Sequence, residues 1–214
     1  MSYLNLSVAA KASRANQIIS GLGSGGYAMF YSGSYPNSPD DLVSSGNLLA
    51  SLPMSSTAGT IVYSVQNAAV NAGGSGGTSG TQTVTGTTGT GTKSQASVTV
   101  SGGAITAVNS ISVAGSYTAL PSNLNAEPVT GASLSGATLS LAMTAAVNFN
   151  TITTENANAT GTAGFCRLAT GNTAGGAGIV DLDVGTSGAS VIVNTTSFAS
   201  GGPIVVSSAT ITEA

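Results

Sequence analysis

The stretch ASVTVSGGAITAVNSISVAGSYT, residues 96–118, decides the fold class. Val98 and Val100, then Ile105, Val108, Ile111 and Val113, stand between small polar residues. That is the two-residue alternation of strands with one buried face. Gly102–Gly103 sits between the two runs as a tight hairpin connection, because paired glycines accept the positive φ that a two-residue β-turn requires. A second alternating stretch, ASLSGATLSLAM (132–143), follows it, and the Gly/Thr-rich run GGSGGTSGTQTVTGTTGTGTK (73–93) precedes it. The run reads as low-complexity turn and linker. Together these segments predict a small β domain of four or five strands inserted over residues 72–144.

Outside the insertion the same punctuation recurs. Candidate strands are YAMFY (27–31), LLASL (48–52) and TIVYSV (60–65), then AAVNFNTIT (145–153) and AGFCRLA (163–169). IVDLDV (179–184), SVIVN (190–194) and PIVVSSATIT (203–212) complete roughly eight, bounded by Gly, Pro, Ser and Asn. The loops are too short for crossover helices, so antiparallel connections are expected. One helix is predicted over 4–22, where Val8, Ala12, Ala15, Ile19 and Leu22 form one stripe and Gly23 ends it. The stripe is expected to pack on the chain's own sheet, the simpler reading, or on a neighbouring subunit. The reading is an all-β protein: an antiparallel, jelly-roll-like β-sandwich base (1–71 and 145–214) with an N-terminal helix, carrying the inserted module.

Composition limits the chemistry. Of 214 residues only 4 are Lys or Arg and 7 Asp or Glu, and none is His; charged residues make up 5%. Ordinary domains carry roughly 25%. The chain is nonetheless 41% hydrophobic, with a mean hydropathy of +0.32, which separates it from solvated disordered polymers. So little charge suits a surface covered by copies of itself or by a partner. The net charge of −3 and pI near 4.4 argue against nucleic acid, which needs clustered Lys and Arg. No apolar run reaches the roughly 18 residues of a membrane span, and the first residues lack the pattern of a secretory signal. Cys166 is the single cysteine, so no intrachain disulfide is possible, in keeping with assembly in a reducing cytoplasm.

Few residues invite a catalytic reading. Asp181 and Asp183 lie two apart, on one face of a predicted strand, the spacing of a cation site or a carboxylate pair; a solvent or interface role is the simpler reading. Asp40–Asp41 after Pro39 reads as a turn or cap. A hydrolytic Ser has no His to activate it, and neither Lys11 nor Lys93 stands in an SxxK arrangement. The glycine runs 21–26 and 86–91 lack the strand-first context or GK[ST] ending of phosphate loops. Cys166 reads as a small buried hydrophobe without a metal-ligating companion, and Arg167 as the partner of one of the few carboxylates. Tyr3, Tyr27, Tyr31, Tyr35, Tyr63 and Tyr117 are too scattered to form a stacking strip. No catalytic, cofactor-binding or metal-binding residue is assigned.

The segment TGTAGFCRLATGN followed by DLDVGTSGASVIVNTTSFASGGPIVVSSATITEA, within 160–214, resembles the C-terminal part of a family of tailed-bacteriophage virion proteins. The N-terminal helix, the YAMFYSGS strand and LLASL resemble the same family, and residues 76–121 with EPVTGASLSGATLSL (127–141) are similar to a portable module of phage structural genes. Cys166 replaces a second aromatic in that pattern. The resemblance implies a capsid decoration or head-fibre protein on the virion surface, with no catalytic residues. It also implies attachment to the major capsid protein lattice and self-association, a homotrimer fitting three-fold sites. A receptor- or glycan-binding tail or neck component is the alternative.

Overall fold

Strands punctuated by glycine account for about half of the chain in the computed structural model, which describes residues 6–213. The helix α1 (Val8–Leu22) leads into β1 (Tyr27–Ser32), β2 (Leu48–Pro53) and β3 (Gly59–Ala72). Next come β4 (Gly80–Gly86), β5 (Thr90–Thr92), β6 (Gln95–Ser101), β7 (Ala104–Val113), β8 (Ser116–Ala119), β9 (Glu127–Thr130) and β10 (Thr138–Phe149). The last strands are β11 (Glu155–Asn156), β12 (Gly161–Ala169), β13 (Val180–Leu182), β14 (Val184–Gly185), β15 (Val191–Val193), β16 (Ser197–Phe198), β17 (Pro203–Ile204) and β18 (Val206–Glu213). The protein is all-β, with antiparallel, sandwich-like sheets and one N-terminal helix. No helix among the described residues is long and apolar enough to cross a membrane.

The chain divides into two compact units. The first holds Ile61–Ala146, the described residues up to Ala12, and Glu213; the second holds Ser13–Thr60 and Val147–Thr212. The joints fall at 60/61 and 146/147, inside the long strands β3 and β10, so most of each strand belongs to the first unit. The helix is also shared out, since Val8 packs on the first unit's core while Ala15 and Leu22 are buried further along. Residues 4 and 5 of the expected helix lie outside the described residues. Ser7 caps the observed start, its Oγ accepting the Ala10 N–H at 3.2 Å. Gly23, at φ +60°, ends the helix with its N–H on Ile19 O.

In the first unit β9, β4, β6 and β7 form consecutive antiparallel pairs, and β10 pairs with β9. Ser101 faces Ala104 across Gly102 (φ +59°) and Gly103 (φ +82°), the expected two-residue hairpin. Inward-facing Val84, Val98, Val100, Ile105, Leu139 and Met143 build the core around Tyr117. The low-complexity run is not linker throughout. Thr83–Ser97 and Val84–Ala96 register places it as β4 beside β6, and β5 pairs with β8. Its strands escape notice because the inward positions of β4 carry only Val84 and Gly86 as buried residues.

The second unit is built on the sheet β13–β12–β1–β2. Phe165, Met29, Tyr31 and Ala169 form its centre, with Tyr31 stacked on Phe165 at 5.4 Å between ring centroids. The close approach of β12 to the chain after β1 needs Gly164: a Cβ there would stand 1.8 Å from Gly33 O. One pairing departs from the antiparallel expectation. β14 and β15 are parallel, Val184 facing Val191, across a short loop turned by Gly188 at φ +69°.

Candidate functional site

The carboxylates singled out by their spacing do not act as a pair. Asp181 grips Arg167 with both oxygens, at 2.7 Å to Nε and 2.8 Å to Nη2. Arg167 is fully buried, the largest such side chain among the described residues. Its Nη1 also donates to the carbonyls of Asp41 (2.7 Å) and Gly176 (2.9 Å). The two-pronged hydrogen bonding from Asp181 holds the guanidinium pKa above its ordinary value although burial opposes it. One guanidinium therefore ties β12, β13 and two loops together. Gly178 N to Pro39 O (2.8 Å), Val43 N to Gly175 O (3.1 Å) and Gly175 N to the Tyr31 hydroxyl (3.0 Å) complete the fastening. Gly178 is the contact that lets the Arg167 stem pass, since a Cβ there would lie 2.6 Å from Cγ.

Asp183 turns to other work. Its Oδ1 accepts the Ser190 N–H at 3.0 Å, and the hydrogen bonding from Ser190 holds its pKa below the ordinary 3.8. Asp40 and Asp41 form the expected turn: Ser38 N donates to Asp41 Oδ2 (3.1 Å) and Asp40 N to Ser38 Oγ (3.1 Å). No cluster of three His, Cys, Asp or Glu side chains able to hold a metal exists among the described residues. Cys166 is buried, and burial pushes its thiol pKa far upward, so it carries almost no thiolate at neutral pH.

The sequence reading passes over a second polar centre, in the first unit. Glu127 is fully buried at the start of β9. Its Oε1 accepts the backbone N–H groups of Thr87 and Thr88, both at 2.7 Å, and its Oε2 takes the Thr88 hydroxyl. Lys93 Nζ donates to the carbonyls of Thr88 (2.8 Å) and Gly89, and lies 5.8 Å from the centre of the Tyr117 ring. The Tyr117 hydroxyl accepts from Ser94 N (2.7 Å) and donates to Ser94 Oγ (3.0 Å). These groups hold the turn between β4 and β5 where the sequence offers only Thr and Gly. The one visible signal is an acid, Glu127, in a stretch otherwise free of charge.

An open groove of about 770 Å³ lies in the second unit. It is walled by residues 148–152, Ser55 and the first half of β18, 206–209. None of these residues is charged. The clamp and the turn centre use the charged groups of Arg167, Asp181, Glu127 and Lys93 on the fold itself, while the groove carries none.

No known protein family matches this chain, and neither a curated protein nor a solved structure resembles it significantly.

Proposed function

We propose that this chain is a structural protein of a tailed-bacteriophage virion, decorating the capsid surface in a cement or head-fibre role. The observation that carries the reading is how charge is used. Only 11 of 214 residues are charged, and three of them, Arg167, Asp181 and Glu127, hold the fold together. The surface left to neighbours is mainly Ser, Thr, Asn, Ala and Gly. Such a surface packs against a lattice with little repulsion and without stripping water from ions. The likeness of residues 160–214 and 76–141 to phage structural sequences supports the same reading. On a repeating lattice, modest contacts multiply through effective concentration. The partners are then the major capsid protein and further copies of this chain, arranged as a homotrimer at three-fold positions. The role is lattice reinforcement, host-surface adhesion, or both, and the reading assigns no catalytic residue, cofactor or metal.

The test is quantitative mass spectrometry of purified particles with antibody labelling in cryo-electron microscopy. The expected result is a copy number in fixed stoichiometry to the major capsid protein and label spread over the head. A handful of copies at the neck or tail would favour the receptor-binding alternative instead. Absence from mature particles would overturn both.

A further inference from the structure

The groove of the second unit has two walls, each tied along one edge to a neighbouring segment. On one side Asn150 N donates to Ala58 O (2.9 Å), Ser55 N to Thr151 O (3.0 Å) and Thr153 N to Pro53 O (2.9 Å). On the other side Val206, Ser208 and Ala209 are held in register against β15. Uncharged polar side chains line the opening. Asn148, Thr151, Ser207 and Ser208 are exposed there. Asn150 Nδ2 and Ser207 Oγ each give a hydrogen bond to a backbone carbonyl, Thr57 O and Ile192 O, and keep an oxygen able to accept. The side chains of Asn148, Thr151 and Ser208 make no hydrogen bond among the described residues. Between the walls Phe149, Ile152 and Ala209 are buried and give the groove an apolar floor.

We propose that this groove binds an uncharged carbohydrate. Hydroxyl and amide groups match sugar hydroxyls without desolvating an ion, and the apolar floor suits the C–H face of a pyranose. The volume lies within the roughly 300–1,000 Å³ common for small-ligand sites. An anionic sugar would call for Arg or Lys, which the groove lacks. The inference stands whether or not the protein belongs to a virion.

The experiment applies the full chain to a printed array of neutral gluco-, galacto- and manno-oligosaccharides beside sialylated and sulfated ones. Isothermal titration with the strongest neutral binder follows. Binding confined to neutral sugars is expected. Ser208→Arg, which fills the opening, should weaken it at least tenfold, and Asn148→Ala several-fold, with unchanged melting curves. Ser112→Arg, on an exposed position of β7 in the other unit, should leave it intact. Should Ser208→Arg fail to fold, the Asn148→Ala titration decides alone. An array without neutral binders, a preference for anionic sugars, or unchanged affinity in the groove variants would overturn the proposal.

Discussion

Replacing Arg167 by methionine keeps most of the aliphatic stem and removes the guanidinium. Asp181, whose side chain is only 6% exposed, then faces the interior with both oxygens unpaired. The carbonyls of Asp41 and Gly176 lose their donor as well. Breaking one side of a buried ion pair costs about 3–5 kcal/mol, since the remaining charge stays desolvated. For a chain of this size that corresponds to a fall in melting temperature of roughly 6–20 °C. Cys166, the neighbouring residue, supplies a local assay: its thiol is inaccessible in the folded state and reacts with a disulfide reagent once β12 opens. The rate of thiol labelling should rise in Arg167→Met at denaturant concentrations where the parent is still silent. The double variant Arg167→Met/Asp181→Leu removes the stranded charge and should recover about 2 kcal/mol or more. A loss below about 1 kcal/mol in the single variant, or a double variant as unstable as the sum of both singles, would refute the clamp's electrostatic account.

Three further outcomes follow from the geometry. Gly164→Ala should abolish folding, measured by circular dichroism, because its Cβ would lie 1.8 Å from Gly33 O, whereas Gly23→Ala, with open space but φ +60°, should cost only about 1 kcal/mol. Asp183 has its folded-state pKa depressed, so its contribution is full above the unfolded value of 3.8 and disappears as pH falls through the lower folded value. Asp183→Asn should therefore flatten the stability–pH curve below about pH 4 in acid denaturation, and an unchanged slope would count against this. Glu127→Gln retains the shape but replaces one acceptor oxygen by an amide, which should cost about 1–3 kcal/mol in a denaturant melt. In hydrogen exchange, the Thr87 and Thr88 amides should lose protection first.

The strands that can be read directly from the chain are those whose inward positions are large. The hairpin at Gly102–Gly103 stands in the sequence with its register legible, and the core strand β12 is legible as a strand though not in its pairing. The strand β4 does not, because Gly and Thr fill positions where a hydrophobic would have announced it, and Val84 alone carries the apolar signal. The length of β3 is hidden for a similar reason: much of it is exposed and small. Of the residues weighed for chemistry, Asp40–Asp41 and Cys166 behave as their local context suggests. Asp181 and Asp183 do not, since two-residue spacing places side chains on one face without saying which neighbour will claim each.

Local order in this protein follows from its amino acids alone: alternation makes strands, paired glycines turn them, and scarce charge leaves a neutral exterior. Those effects act between residues near in the chain, so they are written in its pattern. The choice of partners belongs to the folded state. Arg167 meets Asp181 and a carbonyl 126 residues away at Asp41, and Glu127 reaches back to Thr87 and Thr88, only once β-sheets bring them together. A buried charge stabilises or destabilises according to what surrounds it, and surroundings are a property of three dimensions.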